Sequence, residues 1–292
     1  MKNYLTIDIG GTDIKYGVIN DTENLLFTSS IPTETIKGSK FVIHKIIDLY
    51  EDLNKKYNLH GLAISSTGVI DDKTNSLIAP PTMPGWDTIN FKRDLKSLNT
   101  LISVENDVNC MALCEQHLIE NNKRIPCLFA MTIGTGIGGS IFINGKIHKG
   151  SLFSAGEIGK TLISNDKTSF ENIASTSALV KQSKKIYPDI STGIDVFTLY
   201  DKNDAKIVEL VNKFYYNLAR GIINIIYILN PNIIIIGGGI TNRGNTFLDE
   251  LKIHINNLID PYYLGKFEIK LAKNKNNAGL IGAFINFKNL YL

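Results

Sequence analysis

Asp8 stands inside an apolar stretch, Tyr4-Leu5-Thr6-Ile7-Asp8-Ile9, immediately ahead of Gly10-Gly11-Thr12-Asp13. A carboxylate there is costly to bury unless something pairs with it. The glycines beside it let bare N–H groups close on an anion. The functional reading is an aspartate facing a magnesium-bound phosphate, and the alternative is a capped turn aspartate. A second glycine cluster, Thr132-Ile133-Gly134-Thr135-Gly136-Ile137-Gly138-Gly139-Ser140, lies near the middle of the chain. It fits G-x-G-x-x-G formally, but a dinucleotide fingerprint must open a helix. Here Ile141-Phe142-Ile143 and then Asn144-Gly145 follow, so a phosphate-binding hairpin is predicted.

Proton chemistry has its candidates elsewhere. Leu101 to Val104 reads as a strand that delivers Glu105-Asn106-Asp107 onto the start of a helix, at the mouth of a parallel sheet where ligands bind. Asp107 or Asn109 could equally be the helix cap. Glu157, flanked by Gly156 and Gly159 and followed by Lys160, can reach a ligand. Glu171 begins a helix, where its charge also suits the dipole. Gly237-Gly238-Gly239 follows the apolar strand Ile233 to Ile236 and fits either close approach of a base or ribose or a tight strand–helix connection.

Positioning these residues takes alternating strands and helices. Tyr4 to Ile9, Ile14 to Ile19 and Leu25 to Ser30 are predicted strands, and Phe41 to Tyr57 is an amphipathic helix. Gly61 to Ser65 is a strand ending at Ser66-Thr67-Gly68. Pro80-Pro81, Met83-Pro84-Gly85 and the lone Trp86 form a rigid loop suited to a substrate-site wall, or a packed tryptophan. Tyr187 to Asp204 is polar and reads as an exposed excursion. Ile207 to Leu229 is a long apolar helix, Asn245 to Leu258 another, and a helix opens at Ala278. The two glycine hairpins share one pattern and suggest a duplicated architecture.

Composition narrows the class. The 292 residues are 43% hydrophobic and 20% charged, with a net charge of +3, ordinary for a globular protein. The positive charge is mostly scattered lysine, which argues against nucleic acid or an anionic membrane as partner. Cys110, Cys114 and Cys127 are too few for a disulfide framework. The apolar runs fall short of the roughly 20 residues that span a bilayer. No charged-then-apolar leader precedes Tyr4, and a cytoplasmic protein is expected.

Taken together, Asp8-Ile-Gly-Gly-Thr12, Glu105-Asn-Asp-Val-Asn109, Thr132 to Gly139, Gly156-Glu-Ile-Gly159, Gly237-Gly-Gly239 and Asn277-Ala-Gly-Leu-Ile-Gly282 occur in one order. The chain resembles the ROK family of sugar kinases across nearly its whole length. The resemblance implies an α/β protein with the two-lobed actin-like ATPase fold of the sugar kinase/Hsp70/actin superfamily, a mixed sheet in each lobe. The lobes would be 1–117 completed by the helix 278–292, and 118–277, closing on ATP, magnesium and a hexose.

It further implies Asp107 as general base on a sugar hydroxyl, usually the 6-OH, with Gly68, Asn106, Glu157 and Glu171 holding the others. Gly10, Gly11, Thr12, Lys15, Thr135 and Gly136 would cradle phosphates, Asp8 would face magnesium through water, and Gly237 to Gly239 would lie along the adenosine. Many relatives have a histidine where Lys160 stands, followed by a cysteine-rich zinc knot. Ser164 to Ser169 contains no cysteine, so no structural zinc is expected, and Lys160 would donate to the sugar or pair with Glu157. Pro80-Pro81-Thr82 stands where glucokinase-like relatives commonly show an asparagine. The zinc-free segment through Glu171 looks most like bacterial N-acetylmannosamine kinases of sialic acid catabolism, ahead of glucokinases or β-glucoside kinases. A homodimer is expected from the family. DNA-binding relatives carry a helix-turn-helix ahead of the first hairpin, for which the few residues before Asp8 leave no room.

Overall fold

The structure is a computed structural model that describes residues 1–79, 86, 89–120, 125–163, 167–274 and 277–292. The Pro80 to Gly85 stretch and Ser164 to Asp166 lie outside the described residues. The chain divides into two compact units, Met1–Asn121 with Lys149–Ser154 and Asn276–Leu292, and Asn122–His148 with Ala155–Lys275. The boundary expected at 117/118 therefore falls slightly later, and Lys149–Ser154, expected in the second lobe, clusters with the first.

The first unit opens with β1 (Asn3–Ile9), β2 (Asp13–Asn20) and β3 (Leu25–Pro32), followed by α1 (Ser39–Tyr57) and β4 (Leu59–Ser66). Then come β5 (Val69–Asp71), β6 (Ser76–Ala79), α2 (Phe91–Asp94), β7 (Ile102–Asn106) and α3 (Asp107–Glu120). The main sheet runs β3-β2-β1-β4-β7, with β1, β4 and β7 parallel. The two-residue period of β1 divides its side chains between two cores. Leu5, Ile7 and Ile9 pack with Val42 and Ile46 of α1 on one face, while Tyr4 joins Ala63 and Cys110 on the other. With both faces covered, the parallel strands are buried along most of their length, polar Thr6, Ser65, Ser103 and Glu105 included. Their carboxyl ends release the three stretches of chemical interest, at Gly10, Thr67-Gly68 and Asp107.

The second unit repeats the pattern with β8 (Cys127–Ile133), β9 (Ile137–Ile143) and β10 (Lys146–Ile147). Helices α4 (Phe170–Ala174), α5 (Thr176–Ser183), α6 (Gly193–Asp201) and α7 (Ala205–Leu229) precede β11 (Ile233–Gly237), α8 (Asn245–Leu258) and β12 (Glu268–Leu271). Its sheet order, β10-β9-β8-β11-β12, matches that of the first unit strand for strand, including the antiparallel hairpin beside parallel partners. Asp204 caps α7 by accepting from the Ile207 N–H at 3.1 Å, and Asn230 ends it in a left-handed turn before Pro231. Although α7 is long and apolar, no helix of the described residues is long and apolar enough to cross a membrane.

The chain then returns to the first unit as α9 (Ala278–Tyr291), where Phe284 and Phe287 complete the core around Tyr4. Here glycine is a packing requirement. A Cβ at Gly282 would overlap the Cys110 carbonyl, and one at Gly61 would overlap the Phe287 ring. Gly282→Ala is therefore expected to destabilise the protein by about 1–3 kcal/mol, the usual cost of overpacking. Thermal unfolding reads this directly, and an unchanged midpoint would show that α9 can shift without cost.

Three local expectations are corrected. The excursion 187–204 contains α6, started by a reciprocal Thr192–Asp195 capping box and burying Val196 and Phe197. The helix expected to run through Thr176 past Val180 is broken at Ser175, whose extended backbone ends α4 and whose hydroxyl caps α5 through Ala178 N–H. Trp86 is fully buried in the core of the first unit rather than forming a reachable wall.

Candidate functional site

In the first unit the β1–β2 turn is tied from three sides. Gly10 N–H donates to the Asp13 carbonyl at 3.0 Å, and Thr33 N–H donates to the Thr12 carbonyl at 2.8 Å. The Thr33 hydroxyl, wholly buried, reaches back to the Gly10 carbonyl at 2.7 Å. Gly11 and Thr12 are left exposed at the tip. Thr33 was not among the residues singled out in the sequence, because it follows β3 and has no motif of its own.

Asp8 stands in register with Lys15 across the hairpin. Its Oδ1 accepts from the Ser65 hydroxyl at 2.6 Å. Gly279, in the first turn of α9, leaves the space in which this carboxylate sits, since a Cβ there would overlap it. Burial pushes the Asp8 carboxyl above its ordinary range, against the opposing pull of Ser65 and Lys15. Lys15 offsets that burial only in part, and a divalent cation beyond the carboxylate would supply further positive charge. The residues present therefore fit magnesium.

The strand-to-helix step from β7 to α3 resolves the ambiguity over the cap. Asn106 Oδ1 accepts from the N–H groups of Val108 and Asn109, at 2.9 and 3.1 Å. Asn106, and neither Asp107 nor Asn109, is thus the N-cap. The other end of the same amide donates to the Gly68 carbonyl at 2.9 Å, and Gly68 itself has φ +93°. Gly68, Asn106 and Asp107 are brought together, with the half-buried Asp107 carboxylate in the first helical turn, its Oδ1 accepting from Val108 N–H at 2.9 Å.

Beneath this turn lies a buried ion cluster that was not anticipated. Glu105, 1% exposed, accepts from Asn106 N–H at 2.8 Å and from the Asn109 amide at 2.9 Å. Its other oxygen lies 2.6 Å from Lys149 Nζ, which also meets Asp72 at 2.7 Å. Burial alone would lower the Lys149 ammonium, but Glu105 and Asp72 outweigh it and hold it above its usual value.

In the second unit β8 and β9 close at Ile133↔Ile137 around Gly134-Thr135-Gly136, with Gly134 N–H on the Gly136 carbonyl at 3.0 Å. This is a hairpin, with no helix following it, so the dinucleotide reading is excluded. Glu171 Oε2 accepts from Ile137 N–H at 3.4 Å and fills the space that side chains at Gly136 or Gly159 would need. The Gly156 to Gly159 stretch packs on β9, where a Cβ at Gly156 or Gly139 would overlap the other's carbonyl. Thr135, Gly136, Glu157, Lys160 and Glu171 are therefore one cluster.

Lys160 Nζ lies 3.2 Å from Glu157 Oε2, with the lysine side chain 65% exposed. Exposed pairs of this kind contribute about 0–1 kcal/mol. Lys160→Ala should leave thermal stability nearly unchanged and raise the sugar KM by no more than about fivefold, the factor that 1 kcal/mol represents. An unchanged KM would mark Lys160 as a solvated side chain with no share in the site.

The three glycines after β11 have separate roles. Gly237 ends the strand, and Gly238, at φ +89°, backs onto the Ile133 main chain with no room for a Cβ. Gly239 faces open space and lines two adjoining cavities of about 440 and 450 Å³ that share Thr176, Gly193 and Gly239. The first is walled by Ile194, Phe197, Ile240 and Arg243, and the second leads past Gly134 and Thr135 to Lys181 and Lys184. These two cavities, apolar at Ile194, Phe197 and Ile240 and cationic at Lys181 and Lys184, suit a nucleotide-sized ligand whose phosphates face the lysines.

Arg243 is fixed by two bonds to Asp201, at 2.7 and 2.9 Å, and by Glu250 at 2.9 Å, with Phe197 4.6 Å beneath its guanidinium. Neither Arg243 nor α6 was legible as part of a site. Among the described residues no group of three or more His, Cys, Asp or Glu is placed to hold a metal.

Comparison with known proteins follows the same outline. The sequence profile of the ROK family matches residues 4–289. An uncharacterised protein of Clostridium perfringens is 38% identical, with 99% of this chain and 98% of that one covered. A β-glucoside kinase of Listeria monocytogenes is 32% identical, with coverage of 96% and 95%. Among solved structures, a Listeria monocytogenes protein described as a candidate N-acetylmannosamine kinase superposes with a TM-score of 0.88 at 29% identity, covering 99% of each chain.

Proposed function

The chain belongs to the ROK family of sugar kinases, and on that footing we propose that it phosphorylates the 6-hydroxyl of N-acetylmannosamine with ATP. The observation that carries the chemistry is the division of labour at the start of α3. Asn106 caps the helix through the N–H groups of Val108 and Asn109, and the adjacent Asp107 carboxylate, whose Oδ1 shares the Val108 N–H at 2.9 Å, is the candidate proton acceptor in the first turn.

Asp107 accepts the hydroxyl proton as that oxygen attacks phosphorus, and the proton remains on the carboxylate while ADP departs. The transition state is loose, so positioning and charge matter more than basic strength. Asn106 and the Gly68 turn orient the sugar edge, and Glu157 and Glu171 accept from its remaining hydroxyls. The Gly10–Thr12 and Gly134–Gly136 turns offer main-chain N–H groups to phosphate oxygens, helped by Lys15. The groove at Gly239, Ile194 and Phe197 takes the adenosine. Magnesium, held toward Asp8 through water, would neutralise phosphate charge.

The choice of sugar rests on the full-length likeness to the Listeria candidate N-acetylmannosamine kinase. The 32% identity to a β-glucoside kinase favours a β-glucoside as the second reading. Coupled ADP release against N-acetylmannosamine, glucose, N-acetylglucosamine and cellobiose separates the two. Highest kcat/KM on cellobiose would replace the first reading by the second, and no sugar-dependent release would remove both. The proposal includes a cytoplasmic homodimer without structural zinc. Light scattering at a monomer mass, or one zinc per chain on metal analysis, would contradict it.

A further inference from the structure

Glu105, Lys149 and Asp72 form an ion cluster that the reaction just described does not use. Lys149 is only 16% exposed at its side chain, yet it sits 2.6 Å from Glu105 and 2.7 Å from Asp72. Its two partners lead to the same place. Glu105 holds the Asn106 N–H and the Asn109 amide, the two ends of the turn that contains Asp107. Asp72 follows β5, the strand that leaves Gly68, and the Gly68 carbonyl is bonded to the Asn106 side chain. Asp72, Lys149, Glu105, Asn106 and Gly68 thus close a ring of contacts around the backbone that carries the base.

Without the ammonium, Glu105 would be a buried negative charge two residues from Asp107. Rotating toward water would relieve it, and that rotation releases its hydrogen bonds to Asn106 and Asn109. We propose that Lys149 is a positioning residue for Asp107, pinning the Glu105 side chain against the Asn106–Asn109 turn so that the base and the Gly68 turn keep their mutual placement. The inference rests on the reading of Asp107 as general base. It gives the segment Lys149–Ser154, which clusters with the first unit while its chain neighbours belong to the second, a role in turnover.

The test compares Lys149→Met, Lys149→Arg and the double variant Glu105→Gln/Lys149→Met by coupled ADP release, calorimetric titration of the best sugar substrate and thermal unfolding. For Lys149→Met a fall in kcat of about 10–100-fold is expected, the effect of sub-ångström misplacement of a reacting group. Sugar Kd and ATP KM should stay within about twofold. Lys149→Arg, which keeps the charge, should restore most of kcat. The double variant, whose neutral amide still accepts from Asn106, should exceed Lys149→Met in turnover.

A folded Lys149→Met enzyme with wild-type kcat overturns the proposal, as does a double variant no faster than the single one. So does a loss of sugar affinity that matches the loss of kcat. If Lys149→Met fails to fold, the arginine variant decides: retained kcat supports the proposal, and a folded but slow arginine variant overturns it. A wild-type protein with no sugar-dependent ADP release would remove the proposed function first, a result distinct from active wild type with an indifferent Lys149.

Discussion

Asp107→Asn should lower turnover by roughly 10²–10⁴-fold, the range for removing a general base, while sugar affinity stays within about twofold. The substitution keeps the size and one acceptor oxygen of the side chain and leaves the helix start alone, because the cap is Asn106. Asn106→Ala provides the contrast. It deletes the acceptor for two N–H groups and the bond to Gly68, so it should cost about 1 kcal/mol or more of stability as well as activity. Calorimetric titration and single-turnover ADP formation on Asp107→Asn separate binding from chemistry. A variant that retained a tenth or more of wild-type kcat would show that the proton leaves by another route.

The second large effect runs in opposite directions for stability and activity. Burial holds the Asp8 carboxyl above the ordinary carboxylate range, so between the unfolded and folded pKa values the folded chain keeps a proton there that the unfolded chain releases. The stability linked to that proton is complete below the unfolded pKa and is lost as pH rises through the raised folded value. Above the folded value the metal-free protein therefore carries the cost of an enclosed negative charge. Asp8→Asn removes the charge, and its amide oxygen can still accept from Ser65.

The metal-free variant should accordingly melt higher than wild type at pH 7, by about 2–4 °C for each kcal/mol recovered. The difference should shrink as pH falls toward the unfolded value. Added magnesium should raise the midpoint of wild type and leave that of Asp8→Asn unmoved, since the favourable counter-charge is absent. The same variant should be nearly inactive. Scanning fluorimetry with and without magnesium gives the answer, and an Asp8→Asn midpoint below wild type at pH 7 would refute the account.

Legibility in the sequence tracked the range of the interactions involved. Turns announced by Gly10-Gly11 and Gly134-Thr135-Gly136 depend on neighbours within a few positions, and strand alternation around them was enough to identify two hairpins. The helix read as Ile207 to Leu229 carried its own stop at Asn230-Pro231, while its start lies two residues earlier, behind the Asp204 cap. The segment 187–204 was misjudged because its polar residues are the capping box of α6, and only Val196 and Phe197, too few for a periodic signal, mark the buried side. Trp86 was ambiguous because composition cannot distinguish a lone aromatic facing a ligand from one facing a core. The Glu105–Lys149–Asp72 cluster joins positions 33 to 77 residues apart, and three charges at that spacing look like solvated surface until the fold is known. Asn106 and Asp107 offered the same difficulty at short range, since either can cap a helix and backbone geometry alone decides.

The return of α9 to the first unit has a consequence for how the protein is made. The core beneath β1 needs Phe284 and Phe287, and the space around Asp8 is bounded by Gly279, so the first unit waits for a segment made after the whole of the second. Most of the second unit is a single run, Ala155–Lys275, and its sheet and buried helices are all synthesised before α9. The usual order of co-translational folding, N-terminal unit first, is thereby reversed. Until α9 is made, Tyr4, Ala63 and Cys110 have no aromatic cover, and a nascent chain stalled before α9 would expose that apolar face to chaperones.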